Sequence, residues 1–70
     1  MTFLQQLRKD KGYTQQDLST LSGVSISAIQ KLETGVNKIE NSNVSIIMAI
    51  AKVLNISIEE LVKQSEKLIN

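Results

Sequence analysis

Residues 15–33, QQDLSTLSGVSISAIQKLE, place a glycine between two short helical patterns, and this interruption limits the folds that the chain can adopt. Thr14 is a favourable N-cap for the first pattern. Leu18 and Leu21 are three residues apart, a spacing that predicts that both lie on one inward helix face. Gly23 permits the left-handed backbone that ends a helix. The stretch therefore predicts two helices joined by a tight turn, not one long helix.

The second pattern has its own start, inward face and end. Ser25 is a suitable N-cap, and Val24 before it can fill the corner between the two helices. Ile29 and Leu32 form the apolar stripe of this helix, and Gly35 is placed to end it. The pattern predicts a second helix that packs one side against the domain core.

The outward side of the second helix carries hydrogen-bonding groups. Gln30 could bond to adenine N6 and N7, Lys31 to guanine O6 or N7, and Ser27 to several base edges. Ile26, at the start of the helix, could contact a thymine methyl group, or it could be part of the apolar cover of the turn. A helix, a short turn and a second helix with such groups is the arrangement that places side chains in a DNA major groove.

A set of residues across this stretch resembles a known family. The chain is similar to the Cro/phage-repressor (XRE-type) helix-turn-helix family from about residue 4 to residue 61, nearly its whole length. The resemblance implies an all-α, compact five-helix lambda-repressor-like DNA-binding domain, with base-reading positions at Ile26, Ser27 and Lys31 and Gln30 beside them. The residues that carry the resemblance are Gln15, Leu18, Gly23, Val24, Ile29, Leu32, Glu33 and Gly35.

The resemblance also implies roles outside the base-reading positions. Gln15 and the helix N-terminus that it begins would hold a DNA phosphate, and Lys38 would contact another. Arg8 would pair with Glu33, although from the residues alone it could also be a solvated cation or a phosphate contact. Lys11 is either a solvated charge or a further phosphate contact.

Two positions depart from the family pattern. Ser19 stands where the family usually has alanine at the tight helix crossing, and we expect its hydroxyl to bond back to its own helix. The loop 36–42 is longer than the common form and lacks the usual proline. This loop contains Lys38, the predicted phosphate contact.

Capping signals divide the rest of the chain into helices. Thr14 with Asp17, Thr2 with Gln5 and Ser57 with Glu60 are capping boxes, Asn43 is a further N-cap, and Gly12 and Asn55 are helix stops. We therefore predict a single domain over 1–70, with the helix-turn-helix at 15–33 and helices at about 3–11, 15–22, 26–34, 44–54 and 58–68.

The fourth predicted helix is apolar nearly all round, more than a helix packed on one side requires. In so small a domain we expect a second subunit to cover part of it. Alternatively, the fifth helix and the long loop cover it. The residues predicted to form the dimer interface are Ile46, Met48, Val53, Leu68 and Ile69.

Composition excludes several function classes. The chain has no cysteine and no histidine, which excludes disulfides, zinc sites and catalysis by either residue. Its carboxylates are scattered, so we predict no catalytic residues, no metal, no cofactor and no small-molecule substrate. The net charge of +1 does not support binding by bulk positive charge. No stretch has the length of a signal peptide or a membrane span, so we expect a cytoplasmic protein.

Two functional hypotheses follow. The first is a sequence-specific regulator of transcription, a repressor that binds a palindromic operator on double-stranded DNA as a homodimer. Its two recognition helices would enter successive major grooves about 34 Å apart. The second is an antitoxin-like subunit whose fourth and fifth helices bind a protein partner.

Overall fold

The computed structural model describes residues 2–35 and 42–65, which contain helices and no strands. The all-α fold class is confirmed. Two helices end one residue earlier than predicted, because Lys11 and Leu54 are their C-caps. The predicted extension of the last helix from 66 to 68 lies outside the described residues. The helices are α1 (Phe3–Asp10), α2 (Gln15–Ser22), α3 (Ile26–Thr34), α4 (Val44–Val53) and α5 (Ile58–Ser65).

Each helix begins at a predicted capping residue. The capping box at Thr14 is complete, since its hydroxyl accepts from the Asp17 backbone N–H and its own N–H donates to the Asp17 carboxylate. The Ser57 hydroxyl accepts from the backbone N–H of Glu60, but the Glu60 carboxylate accepts from Gln64 on the next turn. At each of these helix starts a side-chain hydroxyl therefore satisfies one of the free backbone N–H groups.

The helices enclose one aliphatic core. α2 packs against both α3 and α4, while α1 packs against α3 and α5, and α4 packs against α5. This arrangement places α3 at one side of the domain, with α1 and α2 packed against its inner face. The buried apolar side chains are Leu4, Leu18, Val24, Ile29, Leu32, Ile47, Ile50, Ala51, Leu54 and Leu61.

Leu21, which was predicted to face the core, is exposed, and so is Ile58. Leu18 is fully buried, but Leu21 is 58% exposed and lies in a groove between α2 and α4 beside Tyr13 and Val53. A separation of three residues leaves two side chains about 60° apart around a helix, enough to move the second from the core to its edge. Ile58 is 40% exposed at the start of α5, where Leu61 provides the buried contact instead.

The residues predicted for the dimer interface have mixed environments. Met48 is 53% exposed, and Val44, one turn earlier on α4, is 64% exposed. Ile46 and Val53 are half-buried against the core. The domain therefore covers part of α4 by itself. Two further interface predictions, Leu68 and Ile69, fall outside the described residues. Among the described helices, none has the length and hydropathy to cross a membrane.

Candidate nucleic-acid interface

The outer face of α3 is polar and exposed. Ser27, Gln30 and Lys31 are all exposed and lie at three- and four-residue spacing, so they share one helix face. Ile26, at the first position of the helix, is 37% exposed, and it is neither buried in the turn nor fully solvated. The face thus offers hydroxyl, amide and ammonium groups with one apolar side chain at its start.

The opposite face of α3 is anchored in the core. Ile29 is fully buried and Leu32 is 6% exposed, which fixes the rotation of the helix. Ser25 caps the helix, its hydroxyl accepting from the backbone N–H of Ala28 at 3.2 Å. Because the inward side chains are locked, the outward ones have a defined direction.

A hydrogen bond from Ser19 closes the turn between α2 and α3, and its acceptor differs from the predicted one. Gly23 has φ +78°, the left-handed conformation that ends α2. The Ser19 hydroxyl donates to the carbonyl oxygen of Val24 at 2.6 Å, across the turn and not to its own helix as expected. The hydroxyl faces this carbonyl because the turn folds Val24 into the core, where it is 7% exposed. This bond therefore ties α2 to the turn that leads into α3.

A buried ion pair ties α3 to α1. Arg8 Nε lies 2.6 Å from Glu33 Oε2, Arg8 Nη2 lies 3.1 Å from Glu33 Oε1, and Arg8 Nη1 donates to the Tyr13 carbonyl at 2.7 Å. Arg8 is 7% exposed and Glu33 is 4% exposed. Of the three roles considered for Arg8, the structure thus shows the pairing with Glu33, and the guanidinium is not free for a phosphate.

Gln15 lies between this ion pair and the polar face of α3. Its Nε2 donates to Glu33 Oε1 at 3.0 Å, and its Oε1 accepts from Gln30 Nε2 at 3.5 Å. Gln15 is half-buried at the first position of α2, so its remaining N–H group and the helix N-terminus lie near the same surface. The sequence predicts neither bond, because nothing in a sequence indicates which distant amide a given carboxylate faces.

The cations predicted to contact phosphates are only partly described. Lys11 is exposed at the C-terminal end of α1, two residues after the exposed Lys9. Lys38 lies outside the described residues. Among the residues described, no cluster of carboxylates is arranged to hold a metal ion.

Comparisons with known proteins agree with this geometry. A family model described as helix-turn-helix matches residues 4–61. The chain is also similar to an uncharacterized HTH-type transcriptional regulator, YazB, of Bacillus subtilis (strain 168), with 43% identity over 54 residues that cover 77% of this chain and 74% of the relative. No solved structure gives a significant match.

Proposed function

The chain belongs to the XRE-type helix-turn-helix family of DNA-binding transcriptional regulators, and we propose that it is a repressor that binds a palindromic operator as a homodimer. The observation that carries this proposal is the exposed polar face of α3, Ser27, Gln30 and Lys31, above the buried Ile29 and Leu32. An amphipathic helix oriented in this way can insert its polar face into a major groove while the rest of the domain stays outside.

Each outward side chain has a matching group on a base. Gln30 reads adenine, Lys31 reads guanine, Ser27 bonds to a neighbouring base edge, and the exposed part of Ile26 contacts a thymine methyl group. A good base contact discriminates against the wrong base by roughly 1–3 kcal/mol. A few such contacts make one half-site selective but weak, so repression requires two half-sites.

Phosphate contacts set the position of the domain on the duplex. Gln15 and the N-terminus of α2 bind one phosphate, and Lys11 and Lys38 are the candidate cations for others. Such contacts release counterions, so affinity should fall steeply and linearly on a logarithmic scale as salt concentration rises. With a net charge of only +1, the local placement of these groups matters more than the total.

Dimerisation places two copies of α3 on the same face of the DNA. Met48, with Ile46 and Val53 beside it and Leu68 and Ile69 from the C-terminal end, forms the proposed contact between subunits. A two-fold axis through this contact requires a palindromic site with half-sites about 34 Å apart. The operator is therefore expected to be a short inverted repeat.

The test is operator selection from random double-stranded oligonucleotides, followed by footprinting of the DNA upstream of the chain's own gene. We expect one inverted repeat to be selected and protected. The Gln30→Ala, Lys31→Ala double variant serves as the matched control, since both side chains are exposed and the fold should be unaffected. Failure of the wild-type chain to select any palindrome would overturn the proposal.

A second candidate function is that of an antitoxin-like subunit that binds a protein partner through α4 and α5. The observation that favours it is the apolar surface formed by Val44, 64% exposed, and Met48, 53% exposed. Light scattering after size exclusion separates the two candidates. A chain that is monomeric at micromolar concentration, yet binds the product of an adjacent gene, would support the second and contradict the homodimer.

A further inference from the structure

A directional chain of hydrogen bonds runs from the buried ion pair to the outer face of α3. Glu33 Oε1 accepts from Arg8 Nη2 at 3.1 Å and from Gln15 Nε2 at 3.0 Å. Gln15 Oε1 in turn accepts from Gln30 Nε2 at 3.5 Å. The chain thus joins three helices and ends at an exposed amide on the proposed DNA-facing surface.

Glu33 determines the orientation of the first amide. As the anionic partner of Arg8, its carboxylate can only accept hydrogen bonds. Gln15 must therefore turn its NH₂ group toward Glu33, and its carbonyl oxygen points the other way. Because Glu33 is 4% exposed, water does not compete strongly for this position.

The same reasoning extends to the second amide. With the Gln15 oxygen facing it, Gln30 lowers its energy by directing NH₂ toward Gln15, since the flipped amide would bring two oxygens together. At 3.5 Å this bond is long and weak, so its main effect is on orientation, not stability. Gln30 is left with its carbonyl oxygen and one N–H for a ligand.

These two groups match one base better than another. In the major groove adenine offers a donor at N6 and an acceptor at N7, whereas guanine offers two acceptors, O6 and N7. An amide with one oxygen and one N–H available satisfies adenine completely, but guanine would need both N–H groups. We propose that Glu33 and Gln15 are positioning residues that make Gln30 selective for adenine over guanine. This inference rests on the proposed function, since it requires α3 to lie in the major groove.

The test replaces Gln15 while leaving Glu33 and Gln30 in place. Gln15→Lys can still donate to Glu33 and adds a charge that attracts phosphate, but it cannot accept from Gln30. Gln15→Met keeps the side-chain length and removes both bonds. The operator position read by Gln30 is first identified as the one whose base preference is lost in Gln30→Ala. Dissociation constants are then measured for operators with adenine or guanine at that position.

We expect the wild type to prefer adenine at least about fivefold, and both Gln15 variants to lose that preference. The readout is the ratio of the two dissociation constants, because Gln15 is also part of the proposed phosphate contact and its replacement changes the affinity for both operators. A merely structural role would change both affinities by the same factor and leave the adenine preference intact. Gln16→Met, at the exposed neighbouring position, is the matched control and should keep the preference.

The outcomes separate this inference from the proposed function. If the wild type selects an operator but both Gln15 variants retain the adenine preference, or lose affinity for all operators by the same factor, the inference is wrong and the proposed function stands. The same holds if Gln30→Ala changes no base preference. If the wild type selects no operator, both proposals fail together.

Discussion

Arg8 Nε lies 2.6 Å from Glu33 Oε2, and this ion pair joins α1 to the C-terminal part of α3 inside the domain. Both side chains are more than nine-tenths buried, so neither charge is solvated on its own. The pair holds α3 against α1 on the inner side of the domain. Its Glu33 carboxylate also accepts the hydrogen bond from Gln15. Loss of one partner would leave the other charge buried and uncompensated, which costs far more than loss of a surface ion pair.

We predict that Arg8→Met or Glu33→Leu alone lowers the free energy of unfolding by about 3–5 kcal/mol. The double variant should recover a large part of the loss, because two apolar side chains can share the space without an unpaired charge. Urea denaturation in the presence of an osmolyte such as trimethylamine N-oxide keeps weak variants measurable. Lys9→Met, at an exposed site on the same helix, is the control and should change little.

Additive losses in the double variant would contradict this account of the pair. They would indicate that each side chain stabilises the domain through its other contact, Arg8 with the Tyr13 carbonyl and Glu33 with Gln15, and not through the ion pair.

Leu18 and Leu21 lie on the same helix but differ in burial, so the effect of a leucine-to-alanine substitution can be compared between a buried and an exposed position. Leu18 is fully buried, so Leu18→Ala should cost about 2–5 kcal/mol. Leu21 is 58% exposed, so Leu21→Ala should change the free energy of unfolding by no more than about 0.5 kcal/mol. Thermal or urea denaturation measures both. Equal losses would mean that Leu21 is buried in solution, for example by another copy of the chain.

Features that depend on neighbours in sequence could be predicted. The capping residues Thr14, Ser25 and Asn43 start the helices as expected, because a cap satisfies N–H groups two or three residues away. The left-handed conformations at Gly23 and Asn55 were also predictable, since few other residues adopt positive φ readily. The polar strip of α3 followed from the apolar spacing of Ile29 and Leu32.

Features that depend on the packing of distant segments could not be predicted in this way. Helical periodicity places Leu21 about 60° from Leu18, at the edge of the core, but whether that edge is covered depends on how far α4 extends over α2. The bonds of Gln15 join residues 18 and 15 positions away, Glu33 and Gln30, and require the crossing angle of α2 and α3. The Ser19 bond to Val24 likewise forms only once the turn has its final geometry.

Lys31 provides a direct test of base contact against phosphate contact. We predict that Lys31→Ala reduces discrimination at one guanine position by about 1–3 kcal/mol and leaves the salt dependence of binding unchanged. Lys63→Ala removes the same charge from α5 and is the control. Affinities for base-substituted operators at several salt concentrations measure both quantities. If affinity instead falls by the same factor for every operator, and the slope of log affinity against log salt concentration becomes smaller by about one, Lys31 contacts a phosphate.

The exposed side chain of Met48 tests the proposed dimer. It is 53% exposed on α4, so lysine there should leave the monomer folded but place a charge within the proposed apolar contact. We expect Met48→Lys to be monomeric by light scattering at micromolar concentration and to bind a full palindrome little better than a single half-site. Thr20→Lys adds the same charge at an exposed polar position on α2 and should remain dimeric. A dimer that persists in Met48→Lys would place the subunit contact elsewhere on the domain, because a lysine ammonium is not buried in an apolar interface without a partner.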